Sequence, residues 1–152
     1  MPIHCGAIAL AGTSFLTLLI ARKLFSKSNE IVRTGTNFRA STTVVHGGVV
    51  YLSGQVGKIN PTTQALDGDV GQQTEETLAK VDSLLKAAGT DKTRILSANI
   101  WLKDIKADFA PMNEVWNKWV GEAGDLKGVR ACVESAMARE SILVEVQIVA
   151  AL

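Results

Sequence analysis

The chain has 152 residues, a formal net charge of +1, 47% hydrophobic residues and 20% charged ones. That balance fits one globular domain with its own core, and excludes a disordered chain or a basic surface for nucleic acid. The two cysteines, Cys5 and Cys132, lie far apart, and His4 and His46 are the only histidines. A disulfide framework, a zinc site and a Ser-His-Asp triad are therefore not indicated, and a reducing compartment fits.

Residues 1–21 contain no Asp, Glu, Lys or Arg, and Ile8, Leu10, Phe15, Leu16, Leu18, Leu19 and Ile20 make a nearly continuous apolar helix candidate. The run is at the short edge of the roughly 17–25 residues that span a bilayer. Arg22, Lys23 and Lys27 follow it, whereas a cleaved secretory signal carries its positive charge in front. The order favours an anchor or targeting segment over residues 1–25, with the remaining domain on the cytoplasmic side. Such a segment also suits the mitochondrial outer membrane; the alternative is a soluble cytoplasmic protein. Residues 26–37 read as a polar linker, and residues 38–152 as the functional domain.

In that domain Gly47-Gly48 separates two β-rich runs, residues 42–46 and 49–53, which predicts a hairpin because such turns need positive φ. Asn60-Pro61-Thr62-Thr63 reads as a loop. Asp69 with Gln72 three residues on has the pattern of a capping box, and Thr74, Leu78, Val81, Leu85 and Ala88 then mark one face of a helix that Gly89 stops. Residues 95–102 are strand-like, with Leu96, Ala98, Ile100 and Leu102 on one side. Phe109, Met112, Trp116 and Trp119 recur at helical spacing and read as core.

Two further strands end the chain, residues 130–136 and 143–149. Arg130, Cys132 and Glu134 share one side of the first; Glu145 and Gln147 share one side of the second, opposite Val144, Val146 and Ile148. Paired as a hairpin, they would bring a cation, a thiol and carboxylates onto one polar face. An arginine fork binds a small carboxylate at two points, and a nearby carboxylate can hold a water. The arrangement points to hydrolytic chemistry on a small organic acid; a solvated cross-strand Arg–Glu pair accounts for the same pattern without function. The element order predicts an α+β fold, a mixed β-sheet with two helices packed on one face and an open second face that invites oligomerisation.

The runs "VRACVESAMARESILVEVQIVA", "VVYLSGQVG", "LLKAAGTDKTRILSANIWLKDI" and "FAPMNEVWNKWV" resemble the Rid (YjgF) family of enamine/imine deaminases, over about residues 36–152. The resemblance implies a chorismate mutase-like α+β domain in a barrel-like homotrimer, with sites at the subunit boundaries. It implies hydrolysis of 2-aminoacrylate and related imines to 2-keto acids and ammonia, without a cofactor or metal. It matches Arg130 to the arginine that grips the carboxylate and Glu145 to the group that orients water and exchanges protons with the substrate nitrogen. It matches Cys132 to a pocket-lining cysteine, Ser53-Gly54 to a segment whose backbone approaches the substrate, and Asn113 to a pocket-side asparagine. Glu134 reads as a structural partner and His46 as an exposed turn residue.

Two positions depart from the family pattern. Ala40, in Phe38-Arg39-Ala40-Ser41, falls where a pocket-closing tyrosine is expected, and Leu126-Lys127-Gly128-Val129 lacks the usual proline. The missing tyrosine supports an alternative, a non-catalytic small-carboxylate-binding or chaperone-like trimer. A nuclease or translation inhibitor, also attributed to relatives, is disfavoured by the near-neutral charge.

Overall fold

The computed structural model describes residues 29–121 and 127–152. Strand β1 (Val32–Thr34) pairs antiparallel with β2 (Thr43–His46), which turns into β3 (Val49–Leu52). The turn is Gly47-Gly48, with φ of 58° and 77°. Both values lie in the left-handed region, so this is the two-residue hairpin that the sequence predicts.

Helix α1 (Val70–Ala88) starts on a capping box. The Asp69 side chain accepts from the Gln72 N–H, and the Gln72 side chain accepts from the Asp69 N–H. Gly89, at φ 87°, ends it in the left-handed conformation. Strand β4 (Ile95–Leu102) follows, then helix α2 (Ile105–Gly121), β5 (Val129–Glu134) and β6 (Val144–Ala151). Helix α2 is capped twice: Asp104 Oδ1 accepts from the N–H groups of Lys106 and Ala107, and Glu134 Oε2 accepts from Ile105 N–H at 3.0 Å.

The six strands form one mixed sheet in the order β1-β2-β3-β6-β4-β5. Among the described strands only β4 and β5 pair in parallel, because α2 carries the chain back across the sheet between them. The last two strands are therefore not a hairpin: β4 lies between them, and residues 135–143 carry the chain past it. Burial accounts for the arrangement. In β6 the residues Val144, Val146, Ile148 and Ala150 are all fully buried, as suits a strand flanked on both sides. In β5 most residues are exposed, as suits an edge.

Both helices cover one face of the sheet, as expected from the sequence. Leu78, Val81 and Leu85 of α1 and Met112, Trp116 and Val120 of α2 pack with Val50, Leu52, Ala98, Ile100 and Leu102 and the buried side of β6. Each such aliphatic burial is worth roughly 1.5–3 kcal/mol, so this layer holds the sheet in place. Buried Gln73 ties α1 to the approach to β6: its Nε2 donates to Ser141 O and its Oε1 accepts from Leu143 N–H, both at 2.9 Å. The opposite face is open and carries Ser97, Asn99, Trp101, Glu145 and Gln147, with Tyr51, Val129 and Val133 exposed.

Three expectations are corrected. A β-bulge between Ile95 and Ser97 turns Ile95 inward and leaves Leu96 exposed, so Leu96 leaves the apolar side of β4. Phe109 is also exposed, because the α2 stripe meets the sheet only from Met112 onward. And residues 32–34, inside the stretch read as a linker, form β1; the compact unit begins at Ile31. The expected apolar anchor, residues 1–25, lies outside the described residues; among those described, no helix is long and apolar enough to cross a membrane.

Candidate functional site

In the parallel β4–β5 ladder Ala98 lies beside Arg130, Ile100 beside Cys132 and Leu102 beside Glu134. Parallel partners point the same way, so Arg130, Cys132 and Glu134 face the helix layer. In the β4–β6 ladder Glu145 lies opposite Trp101 and Gln147 opposite Asn99, which puts them on the open face. The expected single polar face is thus two half-sites on opposite faces of one sheet. Glu145 is also two strands away from β5, about 10 Å at the usual inter-strand spacing. A molecule the size of a three-carbon acid cannot touch both groups of one protomer.

The first half-site is built on β5 and α2. Arg130 Nη1 donates to Asn113 Oδ1 at 2.7 Å, and the guanidinium carbon lies 5.3 Å from the Trp116 ring centroid. Asn113 is itself oriented: its Nδ2 donates to Phe109 O at 2.7 Å. A carbonyl only accepts, so the amide nitrogen must face Phe109 and the amide oxygen is left for Arg130. One fork donor is spent on Asn113, and among the described residues no carboxylate pairs with Arg130. Arg130 itself lines a cavity of about 270 Å³, together with Ile95, Ala98, Trp116, Val120 and Val129 and the polar Lys92, Asn117 and Lys127. Gly128 lets β5 start there, since a Cβ at that position would lie 2.7 Å from Ile95 O.

Cys132, half-buried two residues along the same face, has its thiol pKa pushed up by burial, with the Arg130 charge opposing. Burial thus favours the protonated thiol, which suits a packing group better than a nucleophile. Glu134 serves the α2 N-terminus, the structural role expected for it.

The second half-site lies where the chain leaves β3. Ser53 N–H donates to Thr42 O at 2.9 Å, and Gln55 exchanges both backbone bonds with Val146 at 2.8 and 2.9 Å. This clamps Gly54 against Glu145. A Cβ at Gly54 would lie 2.8 Å from the Glu145 carboxyl carbon, so any side chain there displaces the carboxylate. Half-buried Glu145 takes no hydrogen bond and no ion pair among the described residues.

Arg130, Asn113 and Cys132 are therefore brought together on one face, and Ser53, Gly54 and Glu145 on the other. The sequence reading missed Trp116 as the plate under Arg130 and Gln55 as the clamp on Ser53. Trp116 was hidden within a core stripe that it also serves. Gln55 carries no signal beyond a polar residue in a strand-end segment, though its burial is nearly complete at 3% exposed.

Comparison with known proteins places the chain in a family. The family model described as Endoribonuclease L-PSP matches residues 33–152. The RutC family protein YoaB of Escherichia coli strain K12 is 39% identical over 121 residues, covering 80% of this chain and 97% of YoaB. A 2-iminobutanoate/2-iminopropanoate deaminase of Bos taurus is 30% identical over 100 residues, 66% of this chain and 70% of the bovine protein. The crystal structure of a YjgF family protein from Neisseria meningitidis superposes with a TM-score of 0.73 at 36% identity, covering 82% of this chain and 96% of that one. The chain belongs to the Endoribonuclease L-PSP family, the Rid (YjgF, RutC) group that its sequence resembles.

Proposed function

We propose that the protein hydrolyses small 2-imino acids and their enamine tautomers to 2-keto acids and ammonia, in sites shared between neighbouring protomers of a homotrimer. The observation that carries this reading is the division of the site. An oriented arginine with spare donors lies on one face of the sheet and, on the other, a carboxylate without a polar partner among the described residues, an arrangement that a second copy would complete. The open face, with Tyr51, Trp101, Val129 and Val133, is the surface for that contact. The bovine deaminase supports the reaction class.

In this reading the substrate carboxylate takes two parallel bonds from Arg130, whose rotation Asn113 and Trp116 restrict. The neighbour's Glu145 holds a water against the imine carbon and accepts its proton as the oxygen adds. With the imine nitrogen protonated, this addition gives a neutral carbinolamine, and Glu145 returns the proton to its nitrogen. As the C–N bond breaks, Glu145 takes the hydroxyl proton, leaving the keto oxygen, and passes it to the departing ammonia, which leaves as ammonium. Water and protonated imino acid are consumed, keto acid and ammonium are formed, and Glu145 ends as it began. Cys132 packs the pocket wall, and the Ser53–Gly54 backbone borders the carboxylate of Glu145.

A second reading rests on Ala40. Nothing aromatic closes the pocket from that position, and Phe38 is 89% exposed under Arg39, 4.7 Å from its ring centroid. A trimer that binds small carboxylates without turnover fits that feature. One experiment separates the two: 2-iminobutanoate is generated in situ, and ammonia release is followed with and without the purified protein. Acceleration over the spontaneous rate is expected. Binding of 2-oxobutanoate with no acceleration would replace the deaminase with the binding protein.

A further inference from the structure

Gln55 is 3% exposed, and its side chain is spent on one residue. Its Nε2 lies 2.9 Å from Ser53 O and 2.9 Å from Ser53 Oγ. The first contact fixes the amide's orientation, because a carbonyl oxygen only accepts and the group facing it must be the NH₂. The second then fixes the hydroxyl. With an N–H donated into it, Ser53 Oγ acts as acceptor on that side, and its own hydrogen must turn away from Gln55. The Ser53 N–H is already committed to Thr42 O. Among the described residues the Ser53 hydroxyl donates to no side chain or carbonyl. The next residue, Gly54, is the one pressed against Glu145.

We infer that Gln55 is a positioning residue: it sets the polarity of the Ser53 hydroxyl, so that this group donates a hydrogen bond to the carboxylate or carbonyl oxygen of a bound keto or imino acid. This rests on the function proposed above and adds to it a donor on the Glu145 side of the site. The hydroxyl thus discriminates in favour of ligands that present an acceptor there. It gives a small acid an anchor on the second protomer besides the arginine of the first.

The test uses Gln55→Glu, which keeps the shape but replaces the donating NH₂ by an acceptor. The Ser53 hydroxyl is then drawn inward to donate to the new carboxylate. Two quantities are measured on the whole chain: the dissociation constant for 2-oxobutanoate by calorimetry, and KM and kcat for 2-iminobutanoate. Loss of one hydrogen bond to a charged ligand predicts about tenfold weaker binding and a comparable rise in KM, with kcat changed less. Ser53→Ala should do the same, and adding Gln55→Glu to it should cost nothing further. Gln55→Met, which neither donates nor reverses the hydroxyl, should fall between wild type and Gln55→Glu; it also serves if the glutamate variant does not assemble. Multiplying effects in the double variant, or a loss confined to kcat, would overturn the inference. If the wild type binds 2-oxobutanoate but releases no ammonia, the deaminase reading fails, while the binding data still decide the role of Gln55. If it neither binds nor reacts, both fall.

Discussion

Arg130 and Glu145 stand in opposite circumstances. The guanidinium is held by Asn113, which is held by a helix carbonyl, and it rests on Trp116. The carboxylate is held by nothing polar among the described residues and lies where a Cβ at Gly54 would be. A group that recognises a fixed carboxylate gains from being oriented in advance, since less freedom is lost on binding. A group that must take up and return a proton is better left without a partner that would fix its charge. The contrast is what a division between binding and chemistry requires, and perturbing each half should yield a different kinetic signature.

The largest effect is expected at Arg130. Arg130→Ala removes the fork, and kcat/KM for 2-iminobutanoate should drop by about 10³-fold or more, while size-exclusion mass is unchanged; losing a two-point charged contact to substrate in an enclosed site costs several kcal/mol. Arg130→Lys should recover little, because an ammonium is a point charge and cannot replace a planar two-point contact. Near-wild-type kcat/KM in either variant would remove Arg130 from the site.

On the other half, Glu145→Gln keeps volume and loses the base. There kcat should fall about 10²-fold, with 2-oxobutanoate affinity within about threefold of wild type. The reverse pattern, lost affinity with intact turnover, would make Glu145 a binding group and erase the contrast. A smaller loss should follow Gly54→Ala. Its methyl group occupies the space of the Glu145 carboxylate, so kcat should fall about tenfold as the side chain is pushed aside, with Arg130-dependent binding preserved.

Cys132 should matter least to catalysis. Cys132→Ala should leave kcat within about threefold of wild type. Its signature is in stability instead. Burial raises the folded thiol's pKa above its ordinary value, so its contribution is complete below the unfolded value and is lost as pH rises through the folded one. As pH rises above the ordinary thiol value, thermal melts should fall less steeply for Cys132→Ala than for wild type. Parallel curves would show that the thiol is not desolvated.

How much of this was legible beforehand depended on whether the signal was local. The α1 caps, the Gly47-Gly48 turn and the two apolar helix faces are written within a few neighbouring residues, and all are found except for Phe109 of the second face. The position of β6 depends on what lies beside it, and nothing near residues 144–151 says that β4 will separate it from β5. That single pairing decides which side of β5 faces the helices. Candidate residues could thus be named while their arrangement could not: alternation told that Arg130, Cys132 and Glu134 go together, but not that Glu145 lies on the other face. Strand β1 escaped notice because its three residues are all exposed and show no alternation of burial. The Leu96 expectation failed at a bulge, where the two-residue period is interrupted.

The central claim is that each site takes Arg130 from one protomer and Glu145 from its neighbour. It is tested most directly by mixing two inactive proteins, Arg130→Ala and Glu145→Gln. The two are denatured together, refolded at equal concentrations and assayed for ammonia release from 2-iminobutanoate. In a randomly mixed ring, about a quarter of the shared sites combine an intact arginine with an intact glutamate, so roughly a quarter of wild-type activity should return. If verified mixed oligomers stay as inactive as either parent, each site draws both residues from one chain, and the account is contradicted.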